Sequence, residues 1–264
     1  MPVAPDPHDP TAREFPSIHE RVFPGLSPKD VVEEHEERYR FAMQYAEGAR
    51  VLDAACGSGY GTNALAAAGA GFAIGVELAP DVARYANEHH DGGRVGYLAG
   101  DCEALPFNDA SFDLLVSFET IEHLDRPFLF LKEARRVLRD EGVFILSTPN
   151  PLVANFPYGL LRPLPSVPLN PFHSREFTLD ELRATLGVAF DVVEIRVQRP
   201  LPFAGFLLHT LRWRLRGMDD ARAQRSIRNV LRRSSAVVQR PRRFSVPAFH
   251  VLVCRARALG AKLP

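Results

Sequence analysis

Short apolar runs alternate with longer mixed stretches through most of this 264-residue chain. The runs "RVLDAAC", "GFAIGVEL", "RVGYLAGD", "FDLLVSFE" and "GVFILSTPN" are almost continuously apolar and are bounded by glycine, proline or turn residues. That pattern predicts strands buried on both faces. Between them, "GTNALAAAGA" reads as a helix of small residues able to pack close to a sheet, and "PDVARYANEHH" as a second helix with Pro80 at its entry. In "RPFLFLKEARRVLRD" the spacing places Phe128, Leu131, Ala134, Val137 and Leu138 on one face, and Gly142 follows. Upstream, Ser27-Pro28 opens the helix "KDVVEEHEERYRFAMQYAEG", acidic near its start and stopped at Gly48. Downstream come the helix "LDELRATLG", the strand "FDVVEIRVQ" and a last strand, "FHVLVCRAR", from Phe249 to Arg257. Strands alternating with helices predict an α/β fold, a doubly wound parallel sheet with helices on both faces.

Composition divides the chain further. Residues 1–30 are rich in proline and read as an arm; 31–198 carry the alternating pattern of a core; 247–264 supply the final core strand and a tail. The intervening 199–246 is too long for a hairpin turn and reads as a helical insertion or lid. Net charge is zero, yet from Ile195 onward sixteen Lys or Arg face two acids, leaving sixteen bases and thirty acids before that point. Such a division predicts either a basic region with its own partner or a basic lid neutralised by the protein's acidic body. Three scattered cysteines exclude a disulfide or zinc framework. No apolar run approaches the roughly 20 residues that span a bilayer, and no signal core is visible. A cytoplasmic protein is expected.

The stretch "VLDAACGSGYG" places Gly57, Gly59 and Gly61 just beyond the first strand, whose apolar run reaches Asp53. In a doubly wound sheet ligands bind at the carboxyl ends of the strands, beside the reversal in strand order. Glycine there lets a ligand approach bare backbone. The spacing G-x-G-x-G differs from the G-x-G-x-x-G of dinucleotide readers. Glu77 closes the second strand, about twenty residues on, where a carboxylate accepts hydrogen bonds from both ribose hydroxyls. Asp101 closes the third, in "GDCEALPF", placed to accept from an adenine amino group. Glycines, Glu and Asp on three successive strand ends outline one adenosine-sized site.

With "VLDAACGSGYG", "GVEL", "GDCEALPF", "FDLLVSFETIEHL" and "EARRVLRDEGVFILSTPN" in this order and spacing, residues Val31 to Arg196 resemble the class I S-adenosylmethionine-dependent methyltransferases. The likeness is to the bacterial type 11 branch that includes quinone-biosynthesis and sugar or natural-product enzymes. "ERVFPG" and "EHEERYRFA" are similar to a subgroup tied to glycan and secondary metabolism. The resemblance implies a Rossmann-like, seven-stranded, mostly parallel sheet whose final strand is antiparallel, and S-adenosyl-L-methionine as cofactor. It implies a cofactor set that includes Asp53, Gly57, Gly59, Glu77, Leu78, Asp101 and Cys102, with Gly57 and Gly59 against the methionine part, Glu77 on the ribose, and Asp101 with the Cys102 backbone on the adenine. Ser117 and Phe118 would flank the methyl group. Cys102 departs from the family, which often has alanine there.

The sulfonium methyl is already electrophilic, so aligning the acceptor is the main task. An alcohol acceptor also benefits from a general base, typically by about 10² to 10⁴ in rate. His123, in "ETIEHL", follows the fourth strand, and His173, in "NPFHSREF", lies in the loop region after the fifth; either is a candidate base or a structural residue. Glu119 and Glu122 are acidic neighbours that would orient His123 or act themselves. No metal is expected, because "EHEE" and "EHH" read as solvated helix faces. The function expected is O-methylation of a hydroxyl on a sugar, glycan or other small natural product.

In "LPFAGFLLHTLRWRLRG", Phe203, Leu207, Leu211 and Leu215 recur every fourth residue beside Arg212 and Arg216. Such a stripe over 203–216 suits a lid, or a peripheral contact with the inner membrane face. A lipid-linked or phosphorylated acceptor would account for both stripe and charge. Nucleic acid is not expected, since no recognised binding module accompanies the arginines. Competing readings are a methyltransferase docking RNA or protein on the basic region, and a non-catalytic cofactor-binding scaffold.

Overall fold

The computed structural model describes residues 21–90, 92–151, 170, 172–202 and 245–258, with the side chains of 199–202 and 245–248 left aside. Helix α1 (Lys29–Ala42) and a short 3₁₀ turn (Met43–Tyr45) precede the sheet. Then follow β1 (Arg50–Ala54), α2 (Tyr60–Ala67), β2 (Phe72–Glu77), α3 (Pro80–His89), β3 (Val95–Ala99) and β4 (Phe112–Phe118). The chain continues through α4 (Pro127–Val137), β5 (Leu138–Pro149), α5 (Leu179–Leu186), β6 (Phe190–Pro202) and β7 (Ser245–Ala256). Pro80 opens α3, where its missing N–H costs nothing. Thr178 and Glu181 form a capping box at the start of α5, each side chain bonding the other's backbone N–H.

The seven strands form one sheet in the order β3-β2-β1-β4-β5-β7-β6. Every pairing is parallel except those of β7, which is antiparallel to both β5 and β6. From β1 the order runs outward to β3 on one side and from β4 outward on the other, so the crevice opens between β1 and β4. Side chains alternate across the sheet. Leu115, Leu252 and Cys254 join one core with Phe130, Phe177 and Leu182 from the α4 and α5 side. Leu114, Val116, Val251 and Val253 join the opposite core with Tyr39 and Leu65 from α1 and α2. Covering both faces is what continuous apolar strands require. Among the described residues no helix is long and apolar enough to cross a membrane.

Three local expectations change. Phe128 is 62% exposed, and Phe130, fully buried, takes the place on α4's inner face beside Leu131, Ala134 and Val137. Phe130, Ala134 and Val137 are spaced i, i+4, i+7, with Leu131 three before Ala134; Phe128 lies just off the stripe. Arg21 to Ser27, within the expected arm, lie against the sheet's helices: Phe23 is buried with Ala79 and Val82, edge-on to Tyr85. The last strand begins at Ser245, four residues before Phe249. The stripe at 203–216 lies outside the described residues.

Candidate active site

A cavity of about 650 Å³ occupies the crevice at the carboxyl ends of the strands. Its wall combines the turn after β1 (Ala55, Gly57), the end of β2 (Glu77, Leu78) and the turn after β3 (Asp101, Cys102). Phe118, Glu119, Glu122 and His123 follow from β4, and Asn170, Phe172 and His173 close the far side. The only four non-glycine residues at positive φ among those described include Ala55 (64°) and Glu119 (53°). These two stand just past β1 and β4, the strands that bracket the crevice, and such strain clusters at working sites.

Each sequence-assigned cofactor residue has a distinct place. Gly57, at φ 56°, faces open space, with no atom within 4 Å of where a Cβ would stand, so it offers the bare backbone expected of a ligand cradle. Gly59, also left-handed, is not in the cavity wall. A Cβ there would lie 2.7 Å from both Ala86 and Tyr97, so packing and backbone conformation by themselves require a glycine here. Gly61 is similarly pressed under the Tyr39 ring. Asp53 is fully buried behind the turn, accepting from Thr62 Oγ1 at 2.6 Å and from the Tyr39 hydroxyl at 3.1 Å. Burial raises its pKa to about 7. It braces the first turn of α2 and does not line the cavity.

Glu77 is almost completely buried at the end of β2. Its Oε2 accepts from Gly57 N at 3.1 Å, while Oε1 accepts from Ala79 N and from Arg21 Nε and Nη2 at 2.9, 2.9 and 2.6 Å. The same carboxylate thus ties the glycine turn to the segment before α1. Leu78 is 67% exposed along the rim. Asp101 accepts from Glu103 N at 2.8 Å, and Cys102 is buried beside it, its thiol pushed up to about 12 by that burial.

At the other end, Phe118 lines the cavity edge-on to Tyr39, whereas Ser117 is buried away from it. Successive strand residues point to opposite faces, so Phe118 lines the cavity and Ser117 does not. Glu119 accepts from Ser147 Oγ at 2.6 Å and lies 3.6 Å from the Arg38 guanidinium. His123 and His173 stand together, ring centroids 4.9 Å apart and nearly perpendicular. The loop is pinned in place: Ser174 N and Arg175 N both donate to the Glu122 carbonyl, and Ser174 Oγ donates to Asp125 at 2.8 Å. His173 Nδ1 bonds Glu176 at 3.0 Å, and His123 Nδ1 bonds the Phe172 carbonyl at 3.0 Å. Glu122 is fully buried, with Thr148 Oγ1 donating to Oε2 at 3.0 Å. Burial first, then the nearby Glu119, raises its pKa well above the usual carboxylate range. The sequence held these groups as separate candidates; the structure assembles them.

Three wall residues were not legible as such. Arg21 sits in a proline-rich tract. Arg38 and His35 sit in the charge-rich "EEHEERYR", which reads as a solvated face, yet Arg38 is 2% exposed. Its Nη1 donates to Gln198 at 2.9 Å, its plane lies 4.6 Å over Phe249, and Nε and Nη2 have no hydrogen-bond partner among the described residues. Burial, and then Arg38, lowers the His35 pKa to about 3, so this imidazole stays neutral. The spacing of His35, Arg38, Tyr39 and Ala42 was the available signal.

Residues 52–146 match a family described as a methyltransferase domain. A probable S-adenosylmethionine-dependent methyltransferase of Mycolicibacterium smegmatis is 37% identical over 190 residues, 72% of this chain and 70% of that relative. The ubiquinone biosynthesis O-methyltransferase of Azorhizobium caulinodans is 30% identical over 201 residues, covering 73% of this chain and 76% of that protein. Among solved structures, an S-adenosylmethionine-dependent methyltransferase from Mesorhizobium loti shares the fold, with a TM-score of 0.56 at 15% identity, over 84% of this chain and 97% of that one.

Proposed function

The chain belongs to the S-adenosylmethionine-dependent methyltransferases, and from that premise we propose that it methylates a hydroxyl group of a sugar, glycan or other small natural product. The observation that carries this reading is the paired His123 and His173 in the wall of the cavity that also holds Gly57, Glu77 and Asp101. A thiol or amine would need little beyond alignment. A protonated alcohol is a poor nucleophile, and a corner built from two imidazoles suits the removal of its proton. The Azorhizobium relative is itself an O-methyltransferase by name.

The wall fits the cofactor. Gly57 leaves bare backbone with open space before it, Glu77 offers a carboxylate, and Asp101 and Cys102 border the next strand end. When bound, S-adenosylmethionine supplies an electrophilic methyl on a sulfonium. The chain's own part is to hold the acceptor in line, with Phe118 excluding water and the imidazole corner taking charge of the hydroxyl proton. In the simplest form His173 Nε2 accepts it, since the Glu176 carboxylate holds the proton of Nδ1 and stabilises the charged ring. A lipid-linked or phosphorylated acceptor would complement the positive charge of 199–246.

The test is incubation with methyl-labelled cofactor and extracts of the source organism, followed by mass spectrometry of what gains the label. A methyl ether is expected. Label confined to protein, RNA, amines or thiols would sink the hydroxyl reading.

A further inference from the structure

Glu122, His123 and His173 do more than share a wall: one oxygen or ring nitrogen from each lies within 4.8 Å of the others. The corner is built for its geometry. Two backbone bonds from Ser174 and Arg175 to the Glu122 carbonyl lock the loop of His173 onto the turn of Glu122 and His123. Each imidazole has its Nδ1 engaged, His173 by Glu176 and His123 by the Phe172 carbonyl, both at 3.0 Å. A carbonyl only accepts, so His123 Nδ1 carries the proton and Nε2 the lone pair; the Glu176 carboxylate sets the same tautomer in His173. An independent observation comes from Glu122. It is fully buried in the cavity wall, Thr148 satisfies Oε2, and Oε1 has no hydrogen-bond partner among the described residues. A buried carboxyl oxygen without a partner is a position that a cation can take in place of the carboxyl proton.

We propose that Glu122, His123 and His173 bind one divalent first-row transition-metal ion, with its remaining positions open to the cavity. Two imidazole nitrogens and one carboxylate oxygen suit Zn²⁺, Fe²⁺, Co²⁺ or Mn²⁺ better than Mg²⁺ or Ca²⁺, which prefer oxygen alone. Three protein ligands with an open side is a catalytic arrangement rather than a closed structural one. Glu119 is left outside the set, held by Ser147 and Arg38. The chemical role rests on the hydroxyl-acceptor reading, in which the ion replaces the direct imidazole base. Its charge stabilises the acceptor oxygen while the hydroxyl proton passes to solvent water. The O–C bond then forms as the S–C bond breaks, its electron pair staying on sulfur as a neutral thioether.

The experiment titrates chelator-stripped, dialysed full-length protein with Co²⁺ alone, read by visible absorption and calorimetry, with Zn²⁺ and Mn²⁺ as competitors. One equivalent of Co²⁺ is expected. His173→Ala, His123→Ala and Glu122→Gln should each weaken it on the order of a hundredfold. S-adenosylhomocysteine binding, measured on the same variants, reports an intact fold. Failure of all three ions to bind stoichiometrically overturns the site, as does unchanged Co²⁺ affinity in the folded variants. Where Glu122→Gln does not fold, the two histidine variants decide. Loss of methyl transfer on chelation, restored by added ion, supports the role. Full-rate methylation of a hydroxyl after chelation overturns the role and leaves the hydroxyl reading standing. Stoichiometric Co²⁺ at these residues with methyl found on nitrogen or sulfur supports the site and ends the hydroxyl reading.

Discussion

At the carboxyl end of β2, Glu77 accepts three hydrogen bonds on Oε1 and one on Oε2, so Oε2 is the oxygen with room for a ribose hydroxyl. Glu77→Ala is expected to weaken S-adenosylhomocysteine binding by tenfold or more, about 1.4 kcal/mol, by calorimetry; unchanged affinity would remove it from the ribose. Asp53 makes a prediction about pH. Folded, it keeps its proton up to about 7, whereas an unfolded aspartate releases it near about 3.9. Between those values the folded chain binds more protons, so Asp53's contribution to stability is complete below pH ~4 and is lost as pH rises through about 7. Asp53→Asn should therefore gain on wild type as pH rises across that window in urea titrations; parallel pH profiles would contradict this. Gly59 makes a third. A Cβ at its left-handed φ meets Ala86 and Tyr97 at 2.7 Å, so Gly59→Ala should cost roughly 2–4 kcal/mol of unfolding free energy, from strain and overpacking together.

Between elements, the contact with most leverage joins the segment before α1 to β2. Arg21 holds Glu77 Oε1 with two charge-assisted bonds that leave less of the carboxylate's charge for a ribose hydroxyl on Oε2, so Arg21→Ala is expected to tighten S-adenosylhomocysteine binding severalfold. Weaker binding would instead make Arg21 part of the ligand's cover. The capping box of α5 is local and additive: Thr178→Ala should cost about 1 kcal/mol in thermal or urea unfolding. The elements themselves were legible because strands covered on both faces must be apolar throughout, and helices between them must alternate at 3.6. Legibility failed where a side chain's partner is remote in sequence. Phe130 rather than Phe128 faces the core because the stripe starts at Pro127's turn, which the pattern alone does not phase. Gly59 and Asp53 carry the motif's signature and also serve packing, since a turn that presents Gly57 must itself be braced. His123 and His173, fifty residues apart, announce nothing jointly until two backbone bonds to the Glu122 carbonyl join their loops.

Across the whole molecule, the sheet divides labour. The parallel half, β3 to β5, carries the strand ends assigned to cofactor, and the antiparallel pair, β6 and β7, sits at the other edge. That pair remains in register to its end, with Leu201 opposite Val246 and Pro202 opposite Ser245. The basic segment 203–244 therefore leaves and re-enters at adjacent positions. Replacing it with a short turn should leave S-adenosylhomocysteine binding intact and reduce turnover of the acceptor; equal loss of both would make the segment part of the scaffold. Closing the loop at 42 residues or at four differs by only about 2 kcal/mol in chain entropy.

Partners across an antiparallel pair stand about 5 Å apart, so Pro202 and Ser245 form a socket with two neighbouring contacts. Whatever is plugged in there, short or long, meets the same sheet edge and leaves the strand order untouched. If acceptor preference resides in that segment, it can drift, be exchanged between relatives, or be grafted in the laboratory as a cassette, while the cofactor half is inherited unaltered.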